Sequence, residues 1–118
     1  MIKKFLLILF GLLLLLPSIT FAAVITVTSL DDELNDDHDC SFAEAIAATE
    51  KNGSVDNCVG VDFGDDTIIF APEVIGTIPV TIAPTDGFEI TQNLEIIGPG
   101  IGLIQFDGLD HSRRFIAM

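Results

Sequence analysis

The amino-acid sequence predicts a mainly-β domain with one short helix near its start, and three observations predict it. Past Cys58 the chain is a succession of short apolar runs separated by turn residues, with no helical period among them. Before Cys58, a Ser41-x-x-Glu44 pattern opens an alanine-rich run. The apolar runs also recur: Ile96-Ile97 and Phe115-Ile116 stand 19 residues apart, and Ile68-Ile69 and Phe88 about the same. Strands this short and numerous fit a β-solenoid, a barrel or a small β-sandwich, and the recurrence favours the solenoid.

The chain opens on Lys3 and Lys4, followed by an apolar run from Phe5 to Leu16 broken only by Gly11. Pro17 and Ser18 come next, and Thr20-Phe21-Ala22 places small residues at the two positions a signal peptidase reads. An apolar core of about a dozen residues falls short of the roughly 20 that cross a bilayer. Residues 1–22 therefore read as a cleaved signal peptide, not a retained membrane span. No cysteine stands at the cleavage point, which disfavours a lipid anchor. The protein is expected to be exported: secreted, periplasmic or on the outer cell surface.

Removing that segment leaves 96 residues with all 18 acidic side chains against Lys51, Arg113 and Arg114, a formal charge of −15. Such a surface repels nucleic acid and anionic lipid, and suits solubility, divalent cations or a cationic partner. Ninety-six residues bury one modest core. The two cysteines, Cys40 and Cys58, both follow the export signal. In an oxidising compartment an isolated pair is most simply a disulfide, closing a loop worth roughly 3 kcal/mol on the chain-entropy model.

Ala23 to Ser29 (AVITVTS) is rich in β-branched residues and reads as the first strand. Asp31 to Asp39 carries six carboxylates and must be a solvated loop. Ser41 is then the N-cap of a helix of about ten residues, with Phe42, Ala45, Ile46 and Thr49 on one face. Asn52-Gly53 stops it, because glycine accepts the left-handed conformation that ends helices. Six further strands follow from Thr67, Ile78, Phe88, Leu94, Leu103 and Arg114. Gly64-Asp65-Asp66, Pro84 to Gly87, Gly98-Pro99-Gly100 and Asp107-Gly108 punctuate them.

Three kinds of site are conceivable. Glu33, Asn35, Asp37 and Asp39, with Glu44 beyond, fall at the ligand spacing of a calcium loop. Yet the first ligand is Glu, His38 stands where that loop needs glycine, and a strand rather than a helix enters it. Looser Ca²⁺ coordination by the oxygen-rich loop is what remains. His38 reads as an exposed loop residue, and the cap role accounts for Ser41. Asp62, Asp65, Asp66 and Asp107, with Arg113 and Arg114, are the only candidates for carbohydrate chemistry, and paired carboxylates alone are weak evidence for it. No catalytic residue and no cofactor beyond possible calcium is expected.

The stretch DDHDCSFAEAIAAT, through Cys40, Ser41, Glu44, Ala45 and Ile46, resembles the CSLREA domain: an acidic loop, then C-S-L-R-E-A-I and a short alanine-rich helix. ITVTSLDDELND resembles that family's opening strand and loop, DDTIIF its D-T-I strand, LEIIGPG its T-I-x-G-P-G turn, and FDGLDHSRRFIAM its D-G followed by R-x-F. Phe42 replaces the signature Leu and keeps its apolar role, Ala43 replaces the Arg and loses the charge, and Thr49 stands where Asn is usual. The resemblance implies the N-terminal segment of an exported bacterial right-handed parallel β-helix protein, often adhesin-like, with no catalytic residue to carry over. Residues 23–64 are then the cap, with acidic loop, disulfide and helix, and residues 65–118 the first β-helix coils. A non-enzymatic capping module is the expected function. A free-standing secreted Ca²⁺-binding module and, behind it, a fragment of an exported carbohydrate-active enzyme are the alternatives. Three coils are about the minimum for a stable solenoid. The expected partners are therefore further coils beyond Met118 or self-association through the C-terminal edge, with the surface partner left open.

Overall fold

The computed structural model of the chain describes residues 2–3, 22–61, 64–81, 88–108 and 116–117. Nearly all of the expected signal peptide lies outside them, as do Asp62, Arg113, Arg114 and Phe115. Among the described residues no helix is long and apolar enough to cross a membrane.

Short strands and one helix make up the fold. Strand β1 (Val24–Val27) leads into the acidic loop and helix α1 (Phe42–Lys51). Strands β2 (Asp66–Phe70), β3 (Gly76–Pro79), β4 (Glu89–Ile90), β5 (Leu94–Ile97), β6 (Ile104–Asp107) and β7 (Ile116–Ala117) follow. A strand is found in each expected run, with shifted bounds; of the last run only Ile116 and Ala117 lie within the described residues. The third begins two residues earlier than Ile78 because Gly76 and Thr77 already pair with Ile104 and Gln105.

Every named strand pair among the described residues is parallel. Strands β1, β2 and β5 form one small sheet, β3 and β6 a second, β4 and β7 a third. Three of the four pairs share nearly one offset: Asp66 pairs with Leu94 and Gly76 with Ile104, both 28 residues on, and Glu89 with Ile116, 27 on, whereas Val24 meets Thr67 43 residues on, across the acidic loop and helix. The 19-residue recurrence is therefore not the pairing period. It separates strands of different sheets: Ile96 lies in β5 and Ile116 in β7, while Phe88 directly precedes β4. A one-dimensional apolar spacing cannot distinguish a return to the same sheet from an advance to the next.

Side chains alternate along β1 and β2 as a half-buried pleat requires, whereas Glu95, Ile96 and Ile97 of β5 are all exposed. Ile25 and Val27 of β1 and Ile68 and Phe70 of β2 face inward, and Ile78 of β3 joins them. Helix α1 closes this core. Phe42, Ala45, Ile46 and Thr49 are buried as the helical period predicts, and Ala43, Glu44 and Ala48 are buried as well. The Phe42 ring lies 6.0 Å from that of Phe70, 5.6 Å from Phe88 and 4.6 Å from Phe106, so one helical residue plugs the space between the sheets. The boundary drawn at residues 64 and 65 separates strands that share a sheet, because β1 pairs with β2 along its whole length.

Candidate functional site

The acidic loop is built from its two ends inward. On leaving β1, Thr28 N–H and Ser29 N–H both donate to Cys40 O, and Cys40 N–H donates back to Thr28 Oγ1 at 2.9 Å. The segment from Asp31 to Asp39 is thus pinched shut at its base. Cys40 is bonded to Cys58, Cα to Cα 5.0 Å, and both are fully buried. The disulfide fastens the loop base and the start of α1 to the turn that follows the helix.

The S-x-x-E pattern forms the expected reciprocal cap. Glu44 N–H donates to Ser41 Oγ at 3.2 Å, and Ser41 N–H donates to Glu44 Oε2 at 3.0 Å. The same two side chains also hold the loop: Ser41 O–H donates to Glu33 O at 2.8 Å, and Asn35 N–H donates to Glu44 Oε1 at 3.0 Å. A capping box normally satisfies only a helix. Here the buried Glu44 carboxylate also accepts from the loop, and that needs no cation.

A second anchor is invisible to local pattern. Asp56, whose side chain is 3 % exposed, accepts from Asp37 N–H at 3.1 Å and from His38 N–H at 3.0 Å. Burial pushes its carboxyl up, but these amides, the Asp36 side chain and the nearby His38 outweigh it and hold it below the usual carboxylate range. His38 itself is exposed, as expected, and adopts a left-handed φ of 77°.

Three of the four expected calcium ligands, Glu33, Asp37 and Asp39, fall into two overlapping groups of acidic side chains. Glu33 and Asp39 converge with Asp31, and Asp37 and Asp39 converge with Asp56, ligand atoms within 4.8 Å of one another in each group. A third group joins Asp36, His38 and Asp56. The Asn35 side chain donates from Nδ2 to Glu33 Oε2 at 2.7 Å. Asp39 is common to two groups, and its Oδ1 is buried without a hydrogen-bond partner. Desolvation raises the Asp39 carboxyl, as do Asp37, Glu44 and Asp31, against a lowering contribution from Ser29. Desolvation followed by Asp37, Asp31 and Asp39 raises Glu33. Hard oxygen donors crowded in this way suit Ca²⁺.

Of the carboxylates weighed for carbohydrate chemistry, Asp65 and Asp66 are adjacent and Asp107 stands in a different sheet. Asp66 opens β2 and accepts from Ala23 N–H, its neighbour Asp65 accepts from the Asn93 side chain at 3.0 Å, and Asp107 closes β6 in a different sheet. Asp62, Arg113 and Arg114 lie outside the described residues. Two further carboxylates tie the cap region to later strands: Asp32 accepts from Thr81, and Glu50 from Thr91 and Gln92. No family model matches the chain, and no curated protein and no solved structure is significantly similar to it.

Proposed function

We propose that this chain is the N-terminal capping module of an exported or cell-surface, adhesin-like protein of the parallel β-helix class, acting as a structural element and not an enzyme. The offset of about 28 residues supports it. One coil supplies β2, β3 and β4, the next supplies β5, β6 and β7, and each strand pairs with its equivalent one coil on. A sandwich of this size would rest on antiparallel ladders closed by hairpins. The disulfide fits an oxidising destination.

One observation carries the capping role. Ile25, Ile68 and Ile96 stack in register across β1, β2 and β5. Their exposures are 1 %, 0 % and 40 %, so the column is sealed at the helical end and open at the other. Among the described residues β5, β6 and β7 each end a sheet, as β1, β3 and β4 do on the other side, and an outermost strand is a template for pairing; it is at the β5 edge that the column's own residue, Ile96, is exposed. Further coils or a second copy cover that end. Sedimentation of the exported chain should reveal concentration-dependent association that Ile96→Lys abolishes, or the encoding locus should continue in repeats of about 28 residues. A monomer at every concentration, from a locus that stops at Met118, overturns the proposal.

The orphaned Asp39 oxygen favours a second activity, Ca²⁺ binding by the acidic loop. Glu33 and Asp39 have folded pKa values above their unfolded ones. Their contribution to stability is thus present below the unfolded value and lost as pH rises through the folded one. Calcium offsets that loss, so its stabilising increment grows across the same rise. Millimolar calcium should raise the melting temperature more at pH 7 than at pH 4, and Asp39→Asn should remove most of the increment. An increment unchanged by Asp39→Asn excludes this site.

A further inference from the structure

Asp66 is 3 % exposed, and among the described residues no lysine, arginine or histidine side chain pairs with it. A carboxylate taken out of water is costly unless a cation or several donors replace the lost hydration. The donor that meets Asp66 is the main-chain nitrogen of Ala23, 3.0 Å from its Oδ1 and 43 residues away in sequence. Ala23 is itself buried, whereas Ala22 is exposed. The position directly before Ala23 is also where Thr20-Phe21-Ala22 offers a signal peptidase its two small residues.

We propose that peptidase cleavage between Ala22 and Ala23 creates the cationic partner that no described side chain gives Asp66. This rests on the export proposed above. Water hydrolyses the Ala22–Ala23 amide; Ala22 takes the carboxylate, and the nitrogen of Ala23 becomes an α-ammonium. The precursor's bond from a neutral amide to the carboxylate becomes one in which donor and acceptor are both charged, an ammonium–carboxylate pair. The rest of the site is already in place: Thr67 N–H donates to Ala23 O at 2.8 Å, and Val24 pairs with Thr67. The new terminus is thus held between β1 and β2, where the first sheet begins. Processing finishes the fold, and the cut must fall at this bond, because one extra residue moves the ammonium about 3.3 Å along the strand.

The test expresses the full precursor, recovers the exported disulfide-bonded chain and reads its N-terminus by sequencing. A single glycine inserted between Ala22 and Ala23 supplies a chain whose ammonium is displaced, and Asp66→Asn is placed in both backgrounds. The chain beginning at Ala23 should show a higher urea midpoint than the glycine-extended one. Asp66→Asn should lower the midpoint strongly in the first and little in the second. The terminal amine beginning at Ala23 should also react slowly with an acylating reagent at neutral pH, and that of the extended chain at an ordinary rate, which keeps the test decisive if Asp66→Asn does not fold. Equal losses in both backgrounds, or ordinary amine reactivity at Ala23, overturn the pairing. So does an exported chain that begins elsewhere, which leaves export itself standing, whereas a chain that stays inside with its leader attached overturns the export.

Discussion

Phe42 shows what a single residue decides here. It stands at the start of the helix, yet its ring meets Phe70 of β2, Phe88 ahead of β4 and Phe106 of β6. Edge-to-face and tilted contacts of this kind add to the burial of the ring itself. Phe42→Ala should therefore destabilise the chain by about 3–5 kcal/mol, the range for truncating a buried aromatic, read as a drop in urea midpoint. Ser41 and Glu44 were legible in the sequence because a capping box is a contact over three residues. Asp56 was not, since it reaches Asp37 across 19 residues and nothing near Asp56 announces its partner. The acidic loop was correctly expected to be solvated, but its ligand grouping was not legible. Spacing along a chain assumes a smooth loop, and the left-handed turns at His38 and Asp56 break it.

At the scale of the element, helix α1 is ten residues long and depends on what it touches. Ile46 is 4 % exposed and Lys51 is on the solvent side. Ile46→Asp should cost several kcal/mol by burying an unpaired charge, and Lys51→Asp no more than about 0.5 kcal/mol. Thermal unfolding of the two variants checks this, and equal losses would contradict the packing. The helix ends one residue earlier than its glycine suggested: Asn52 takes the left-handed conformation, with its N–H donating to Thr49 O. Glycine is instead required at Gly60, where an added Cβ would lie 2.5 Å from Gly53 O, a close approach no local pattern predicts. Strand positions were legible for a related reason. Turn residues bound each strand locally, whereas register is a property of two strands and stayed hidden behind the 19-residue spacing.

Across the whole molecule the sheet of β1, β2 and β5 grades from closed to open. Hydrogen exchange under native conditions should therefore be slowest in β1 and β2 and fastest in β5 and β6, and Ile96→Lys should accelerate the latter while sparing the former. Uniform protection would show that the exposure of Ile96 carries no energetic gradient. The same gradient gives the molecule a polarity in time. In the export proposed above the amino-terminal residues cross first, so the helix, the disulfide and the sealed end of the isoleucine column can assemble while the remainder is still in transit. In the proposed solenoid each later coil then meets a finished surface on one side and nothing on the other. Under that proposal, growth by addition to a fixed seed, in one direction only, avoids the need to search among alternative strand partners.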